Sequence, residues 1–333
     1  MKSQLLRRLC RAYATSLFLT LVARRSPLTR RSPLALAVDF LPLAFAPLPA
    51  AFMAACAARD RPLQLVLTAL ATAFPLLYGS RLLRRRALVE RGPTLRILTV
   101  NMLCESANAD RVARLVRDKA PDAIALQELE PAAHMHLVQA LASAYPHHVA
   151  YPAPGHKGLG WWSRFPLREL DVVWNVEGES IALAVELCGP VDTIRLVAAH
   201  PLTPAVGPVD AGFWLYDSAQ RDREIAPVLE LVARLPPPLV LAGDFNMTDQ
   251  SASYVSVTRT LRDAFAARGR GLGHTYPASV PHDTFTMVFP LPLLRLDYVF
   301  HTADLLPFSA RVLGRVGSDH LPVIVSFAWP HPD

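Results

Sequence analysis

Two apolar stretches, Phe40–Ala58 and Pro62–Ser80, run without a single charged side chain. Each is close to the roughly 20 residues that carry a helix across a hydrocarbon core. No other feature restricts the architecture of this chain so strongly. Pro42, Pro47, Pro49 and Pro75 would be costly in a water-soluble helix but are tolerated in membrane helices with packed neighbours. A shorter run, Ala12–Ala23, lies between Arg7, Arg8, Arg11 and the pair Arg24-Arg25. It reads as a third span or as the apolar part of a signal peptide, although the arginines stand where a small-residue cleavage site is needed. Buried core helices are the alternative for all three runs. The Arg clusters bracketing the longer two favour a membrane anchor of two or three helices plus a basic connector over residues 1–92. Two spans place the remainder in the cytoplasm by the positive-inside bias, and three place it outside. Both stay open.

The charge divides at the same place. Residues 1–92 hold 15 Lys/Arg against Asp39, Asp60 and Glu90, and the remainder holds 19 basic and 25 acidic residues. The basic surplus therefore belongs to the segment expected beside anionic headgroups. The acidic remainder is poorly suited to nucleic acid, because phosphate neutralisation supplies most non-specific DNA affinity. Cys10, Cys56, Cys104 and Cys188 fall at no metal-ligand spacing, and no disulfide framework is expected.

Residues 93–333 read as one α/β domain with sheet layers covered by helices. After the breaker pair Gly92-Pro93, strands are predicted at Leu95–Val100, Ala123–Leu126, Leu159–Ser163, Ala182–Leu187, Thr193–Ala199, Leu239–Ala242, Leu296–Phe300 and Leu321–Phe327. Helical spacing covers Ala109–Lys119, Met135–Tyr145, and about 218–234 and 251–267.

Polar side chains collect just past the ends of these strands or within the late ones: Asn101, Glu128, His200, Asp244, Asn246, Asp297, Asp319 and His320. Taken singly, each Asp or Asn reads as a helix cap or turn residue. Together they combine hard oxygen donors, suited to Mg²⁺ or Mn²⁺, with two histidines able to act near neutral pH.

The segments Leu98-Thr99-Val100-Asn101, Leu126-Gln127-Glu128, Ser163-Arg164-Phe165-Pro166, Ala199-His200, Gly243-Asp244-Phe245-Asn246, Arg295-Leu296-Asp297-Tyr298 and Gly317-Ser318-Asp319-His320 resemble, in order and spacing, the motifs of the endonuclease/exonuclease/phosphatase superfamily. The resemblance implies a DNase I-like four-layer sandwich, two packed β-sheets flanked by helices. It implies a metal site led by Glu128, with Asn101 beside it and Asp319 contributing. It further implies Asp244 as water-positioning base, Asn246 as holder of phosphate or water, and His320 at the phosphoryl group with Asp297 on its other ring nitrogen. His200 faces the phosphate from the opposite side, and Arg164 and Arg295 are weaker phosphate contacts. With its basic-flanked apolar runs, the chain also resembles the membrane-anchored bacterial subgroup of VanJ-type glycopeptide-resistance proteins, implying residence in the bacterial cytoplasmic membrane.

The expected function is hydrolysis of a phosphorylated lipid or lipid-linked (pyro)phosphate. The Pro-rich, apolar Pro201–Tyr216 loop after His200 suits such a substrate, although its aromatic end can equally pack beneath the loop. A metal-dependent nuclease and a membrane-tethered binding protein without catalysis are the alternatives. The latter calls for a damaged site position, and the sequence has none.

Overall fold

The apolar runs of the N-terminal part fold as helices that share a core separate from the rest of the chain. The structure is a computed structural model, describing residues 2–24, 26, 33–82, 93–103, 109–208, 214–278 and 291–329. Helices α1 (Lys2–Ala23), α2 (Pro33–Asp39), α3 (Leu41–Ala44), α4 (Leu48–Ala57) and α5 (Arg61–Leu82) pack around Leu17, Leu41, Phe45, Leu67 and Tyr78. The short run Ala12–Ala23 is the second half of α1. Among the described residues, α5 alone is long and apolar enough to cross a membrane.

The run Phe40–Ala58 is not one continuous helix: it breaks at Phe45–Pro47, between α3 and α4. Pro47 has no N–H for the carbonyl of Leu43, and its ring crowds that position, so the helix stops and restarts. Asp60 then takes hydrogen bonds from the backbone N–H of Leu63 and from Arg11 as α5 begins. Several apolar side chains on the outer faces of these helices are exposed, including Phe18, Leu19 and Val22 of α1 and Leu65, Val66 and Leu76 of α5. The expected connector Arg81–Glu90 lies mostly outside the described residues, as do Cys104 and Phe213.

Beyond residue 93 the period-2 patterning builds two six-stranded sheets. The first comprises β1 (Thr94–Asn101), β2 (Ala123–Gln127), β3 (His147–Tyr151), β4 (Leu159–Ser163), and the late pair β13 (Leu306–Val312) and β14 (Val323–Ala328), in the order β13-β14-β1-β2-β4-β3. The second comprises β5 (Leu167–Trp174), β6 (Ser180–Cys188), β7 (Thr193–Ala199), β10 (Leu239–Asp244), β11 (Arg262–Asp263) and β12 (Asp297–His301), in the order β11-β12-β10-β7-β6-β5. A separate hairpin pairs β8 (Ala205–Pro208) with β9 (Trp214–Asp217).

Successive side chains point to opposite faces of a strand, and that alternation produces four layers. Ile97, Ala125 and Trp161 of the first sheet meet Val185, Leu196 and Val240 of the second in one inner core. Their neighbours Leu98, Ile124 and Trp162 face outward, under α6 (Ala109–Lys119) and α7 (Pro131–Leu141). On the far side, Val197 and Leu241 pack under α8 (Ala219–Arg234) and α9 (Ala252–Val257). Short α10 (Ala264–Arg268) packs against β12 and β13. This is the DNase I-like sandwich of two packed mixed sheets flanked by helices.

Candidate active site

The central strands of both sheets end at one place. β1 and β2 run parallel, with Asn101 opposite Gln127, so Glu128 follows directly beside Asn101. β7 and β10 also run parallel, and antiparallel β12 sets Asp297 opposite Asp244. The backbone is bent sharply where these strands stop. Glu128 and Asn246 both adopt left-handed conformations, φ 53° and 48°, which cost a non-glycine residue on the order of 1 kcal/mol or more and are held only by surrounding structure. Leu129 N–H donates to Gly158 O and Phe245 N–H to Leu296 O, locking the chain on either side of the bends. Gly243 is needed for the same reason, since a Cβ there would stand 1.9 Å from Ala199 O on the neighbouring strand.

Side chains from six segments meet at these ends. Asn101 Nδ2 donates to Glu128 Oε1 at 2.9 Å and to Asp244 Oδ2 at 3.0 Å, bridging the two sheets. His200 Nε2 lies 3.7 Å from both carboxylates. On the other side of Asp244, His320 Nε2 stands 3.5 Å from Oδ2, and His320 Nδ1 is 2.8 Å from Asp297 Oδ2. Asn246 donates its backbone N–H to Asp244 Oδ1 at 2.9 Å; its amide nitrogen donates to Pro201 O and lies 3.3 Å from His200 Nε2. Asp319 faces the same cleft. All eight clustered residues of the motif set are therefore gathered here.

Burial dominates the electrostatics. It pushes the Asp244 carboxyl up to about 6, with the nearby Asp297 charge adding to the rise and His320 and His200 opposing it. Burial alone would drive the His320 imidazole down, but the carboxylates of Asp297 and Asp244 outweigh it and hold the ring well above the ordinary histidine value. Glu128 is also penalised by burial. His200, the Asn101 amide and His156 more than offset that and keep it below the usual carboxylate range. The arrangement thus separates a proton-accepting carboxylate from a proton-retaining imidazole, the division that acid–base chemistry requires.

The donor set fits a hard divalent cation. Glu128, His200 and Asp244 offer ligand atoms all within 4.8 Å of one another, as do Asp244, Asp297 and His320, and carboxylate oxygens are what Mg²⁺ and Mn²⁺ prefer. Asn101 sits differently from the expected ligand. Its NH₂ group braces both carboxylates while its oxygen accepts from Leu103 N–H, so it holds the two acidic ligand candidates in place.

The two arginines do not reach this cluster. Ser163 pairs with Ala123, at the start of β2, whereas the site forms at the end of that strand. Arg164 is consequently at the opposite edge, exposed over the Tyr145 ring at 5.4 Å. Arg295 is only 3% exposed and is consumed by Asp263 at 2.7 Å and Asp249 at 3.3 Å, with its guanidinium 4.6 Å over the Tyr298 ring. Both readings as phosphate contacts are corrected on that geometry. Conversely, sequence reading passed over His156, whose Nδ1 lies 2.7 Å from Glu128 Oε2, and Arg221, whose guanidinium donates to Asn246 O at 2.7 Å. His156 follows Gly155 in a turn before β4, a weak signal; Arg221 lies on a helix and carried none.

Structural comparison agrees with this geometry. Humanised D. rerio TDP2 superposes with a TM-score of 0.54 at 20% identity, covering 71% of this chain and 99% of that one. An endonuclease/exonuclease/phosphatase from Beutenbergia cavernae gives 0.51 at 22% identity, covering 70% and 71%. Staphylococcus aureus beta toxin gives 0.54 at 13% identity, covering 69% and 99%. At such identities the likeness establishes the fold alone. No curated protein matches in sequence. The family's sequence profile, however, spans residues 98–320, from the strand that delivers Asn101 to the imidazole held by Asp297. Members hydrolyse phosphodiester bonds and typically use a divalent metal. By that match, over most of its length, the chain belongs to the endonuclease/exonuclease/phosphatase family.

Proposed function

We propose that this protein is a membrane-anchored, Mg²⁺- or Mn²⁺-dependent phosphoesterase whose substrate is a phosphorylated lipid or a lipid-linked (pyro)phosphate. The observation that carries the reading is the cleft into which the site opens. It encloses about 510 Å³ and is lined by Glu128, Asp244, Asp319 and His320 together with Leu103, Leu294 and Leu296. A cleft that combines hydrolytic groups with apolar side chains matches an ester that is charged at one end and oily at the other. The apolar helix α5 and the bare apolar faces of α1 and α5 support the anchor. The likeness to the VanJ-type subgroup, which rests on the basic-flanked apolar runs, agrees with it.

The roles follow from the geometry. Glu128, with Asp244 and Asp319 nearby, would hold the cation. Once bound, the cation neutralises the phosphate oxygens and so removes the charge barrier to attack. Asp244, ionised above about pH 6, accepts a hydrogen bond from water and aims its lone pair at phosphorus. His320 retains its proton through Asp297 and donates it toward the phosphoryl or leaving oxygen. His200 and the Asn246 amide meet the phosphate from the other side, and Asn101 keeps Glu128 and Asp244 in register across the sheet interface.

A screen would test the reading: purified protein with Mn²⁺ or Mg²⁺, assayed against lipid phosphates and pyrophosphates, soluble phosphoesters and supercoiled plasmid. Release from the lipid esters, lost in Asp244→Ala, is expected. Plasmid nicking with no lipid turnover would install the nuclease reading. Inertness toward all three classes would favour a binding role.

A further inference from the structure

The cleft beside the catalytic groups is not built by the catalytic fold alone. Leu36 and Phe40, from α2 and the corner after it, line it together with Asp39. Leu36 is 40% exposed, an unusual state for a leucine whose helix is otherwise packed into the protein, and Phe40 is half-buried. The two thus contribute a wall to the cleft that Glu128, Asp244 and His320 also line.

This wall is fastened to the catalytic loop itself. Asp39 accepts hydrogen bonds from Thr248 Oγ1 and Tyr216 Oη, each at 2.5 Å. Arg81, at the far end of the same helical unit, is ion-paired with Asp249. Its carbonyl also accepts from Gly271 N–H at 2.9 Å. Thr248 and Asp249 lie one residue beyond the Asp244–Asn246 turn, after Met247. Both latches therefore grip the segment that carries the water-positioning carboxylate, and the Asp39 contact is buried. A buried carboxylate without partners would be expensive, so the sequence commits Asp39 to this docked arrangement.

We propose that Leu36 and Phe40 are specificity-determining residues, forming the wall against which the acyl or polyprenyl chain of a phosphate ester lies while its phosphate sits at Glu128, Asp244 and His320. This rests on the phosphoesterase reading and names the residues that select the long apolar chain of its substrate. The occupant follows from continuity. The wall lines the same cleft as a phosphate-competent centre, and it belongs to a helical unit whose outer faces expose further apolar side chains. An apolar group tethered to a phosphate is the ligand that satisfies both ends at once. A short soluble ester would leave Leu36 and Phe40 facing water.

The test uses the full chain in detergent with Mn²⁺. Two substrates share the reacting phosphate and differ only in chain: hexadecyl and butyl p-nitrophenyl phosphate. In parallel, binding of hexadecylphosphonate and butylphosphonate is measured by calorimetry. The wild-type protein is expected to favour the hexadecyl ester in kcat/KM, and the hexadecyl phosphonate in affinity, by about tenfold or more, the scale set by burying several methylenes. In the Leu36→Ser/Phe40→Ser variant both ratios should fall to near one. They should persist in Phe40→Leu, which keeps the wall apolar, and in Leu65→Ser, which alters an exposed apolar side chain outside the cleft. Ratios unchanged in the double variant overturn the proposal, and so does a loss that falls equally on long and short ligands. Equal turnover of both esters by the wild type leaves the phosphoesterase reading standing and removes the wall. Chain-dependent phosphonate binding that requires Leu36 and Phe40, without hydrolysis of either ester, does the reverse.

Discussion

His320 is held from behind by Asp297. The Nδ1–Oδ2 distance is 2.8 Å, which leaves Nε2 aimed into the cleft, 3.5 Å from Asp244. The ring is further set by its tilted contact with Tyr276, at 4.9 Å between centroids. A carboxylate in this position fixes the tautomer and stabilises the imidazolium.

The Asp297→Asn substitution should therefore lower kcat by about 10²–10⁴-fold, the range that positioned acid–base groups contribute, while KM changes little. Steady-state kinetics decide the point. A rise in KM at unchanged kcat would place Asp297 in ground-state binding instead.

The raised carboxyl of Asp244 gives the pH profile its acidic limb. Its folded value, about 6, exceeds the ordinary 3.8, so the group is protonated and inactive as a base below that value and ionises as pH rises. A bound cation favours the ionised form and can only move the limb downward. The profile of log kcat/KM against pH should rise with a slope near one and level off at or below about pH 6, with no such limb in Asp244→Asn. The basic limb should lie above the ordinary histidine value, because Asp297 and Asp244 hold the His320 proton. An enzyme whose activity first appears well above pH 7 would contradict this.

Glu128 is the expected anchor of the cation, and a binding readout tests it apart from turnover. A ligand that binds only the folded state raises Tm by an amount that grows with its concentration. The wild-type protein should therefore show a Tm that climbs with Mn²⁺, and Glu128→Gln should not. A Glu128→Gln protein responding to Mn²⁺ as the wild type does would move the cation elsewhere.

Arg295 and Arg164 should separate cleanly. The Arg295→Met variant leaves buried Asp263 without its cation and Asp249 with Arg81 alone, and breaking a buried ion pair typically costs about 3–5 kcal/mol. Its signature is a lowered Tm. The Arg164→Ala variant, at the opposite end of β4, should leave kcat/KM within about twofold and Tm nearly unchanged, as surface substitutions do. A selective rise in KM for Arg164→Ala would restore its phosphate role.

The central strands were legible because they are buried on both faces. β1, β2, β4 and β14, and β6, β7, β10 and β12, are mainly apolar and mostly buried, and each coincides with a predicted strand to within a few residues. The edge strands β3, β5, β11 and β13 were all missed. An edge strand is half-solvated, so its pattern is mixed: β5 has only exposed and half-buried positions, and β13 has just two buried ones. The helix read at 251–267 is in fact α9, β11 and α10, because Asp263 caps a new helix through Ala266 N–H instead of continuing the old one. At the site, residues that close a strand were visible in the sequence. His156, Arg221 and Asp39 were not, since each reaches the site only through tertiary packing.

The central claim is that Glu128, Asp244 and His320 serve one cation-dependent reaction centre. Its most direct test is phosphoester hydrolysis by the purified full chain, followed as Mn²⁺ is titrated in and then removed with a chelator, for the wild type and Asp244→Asn side by side. The account predicts turnover that saturates with Mn²⁺, vanishes on chelation, and drops by at least about 10²-fold in Asp244→Asn. Turnover that persists after chelation, or that Asp244→Asn retains in full, would contradict it.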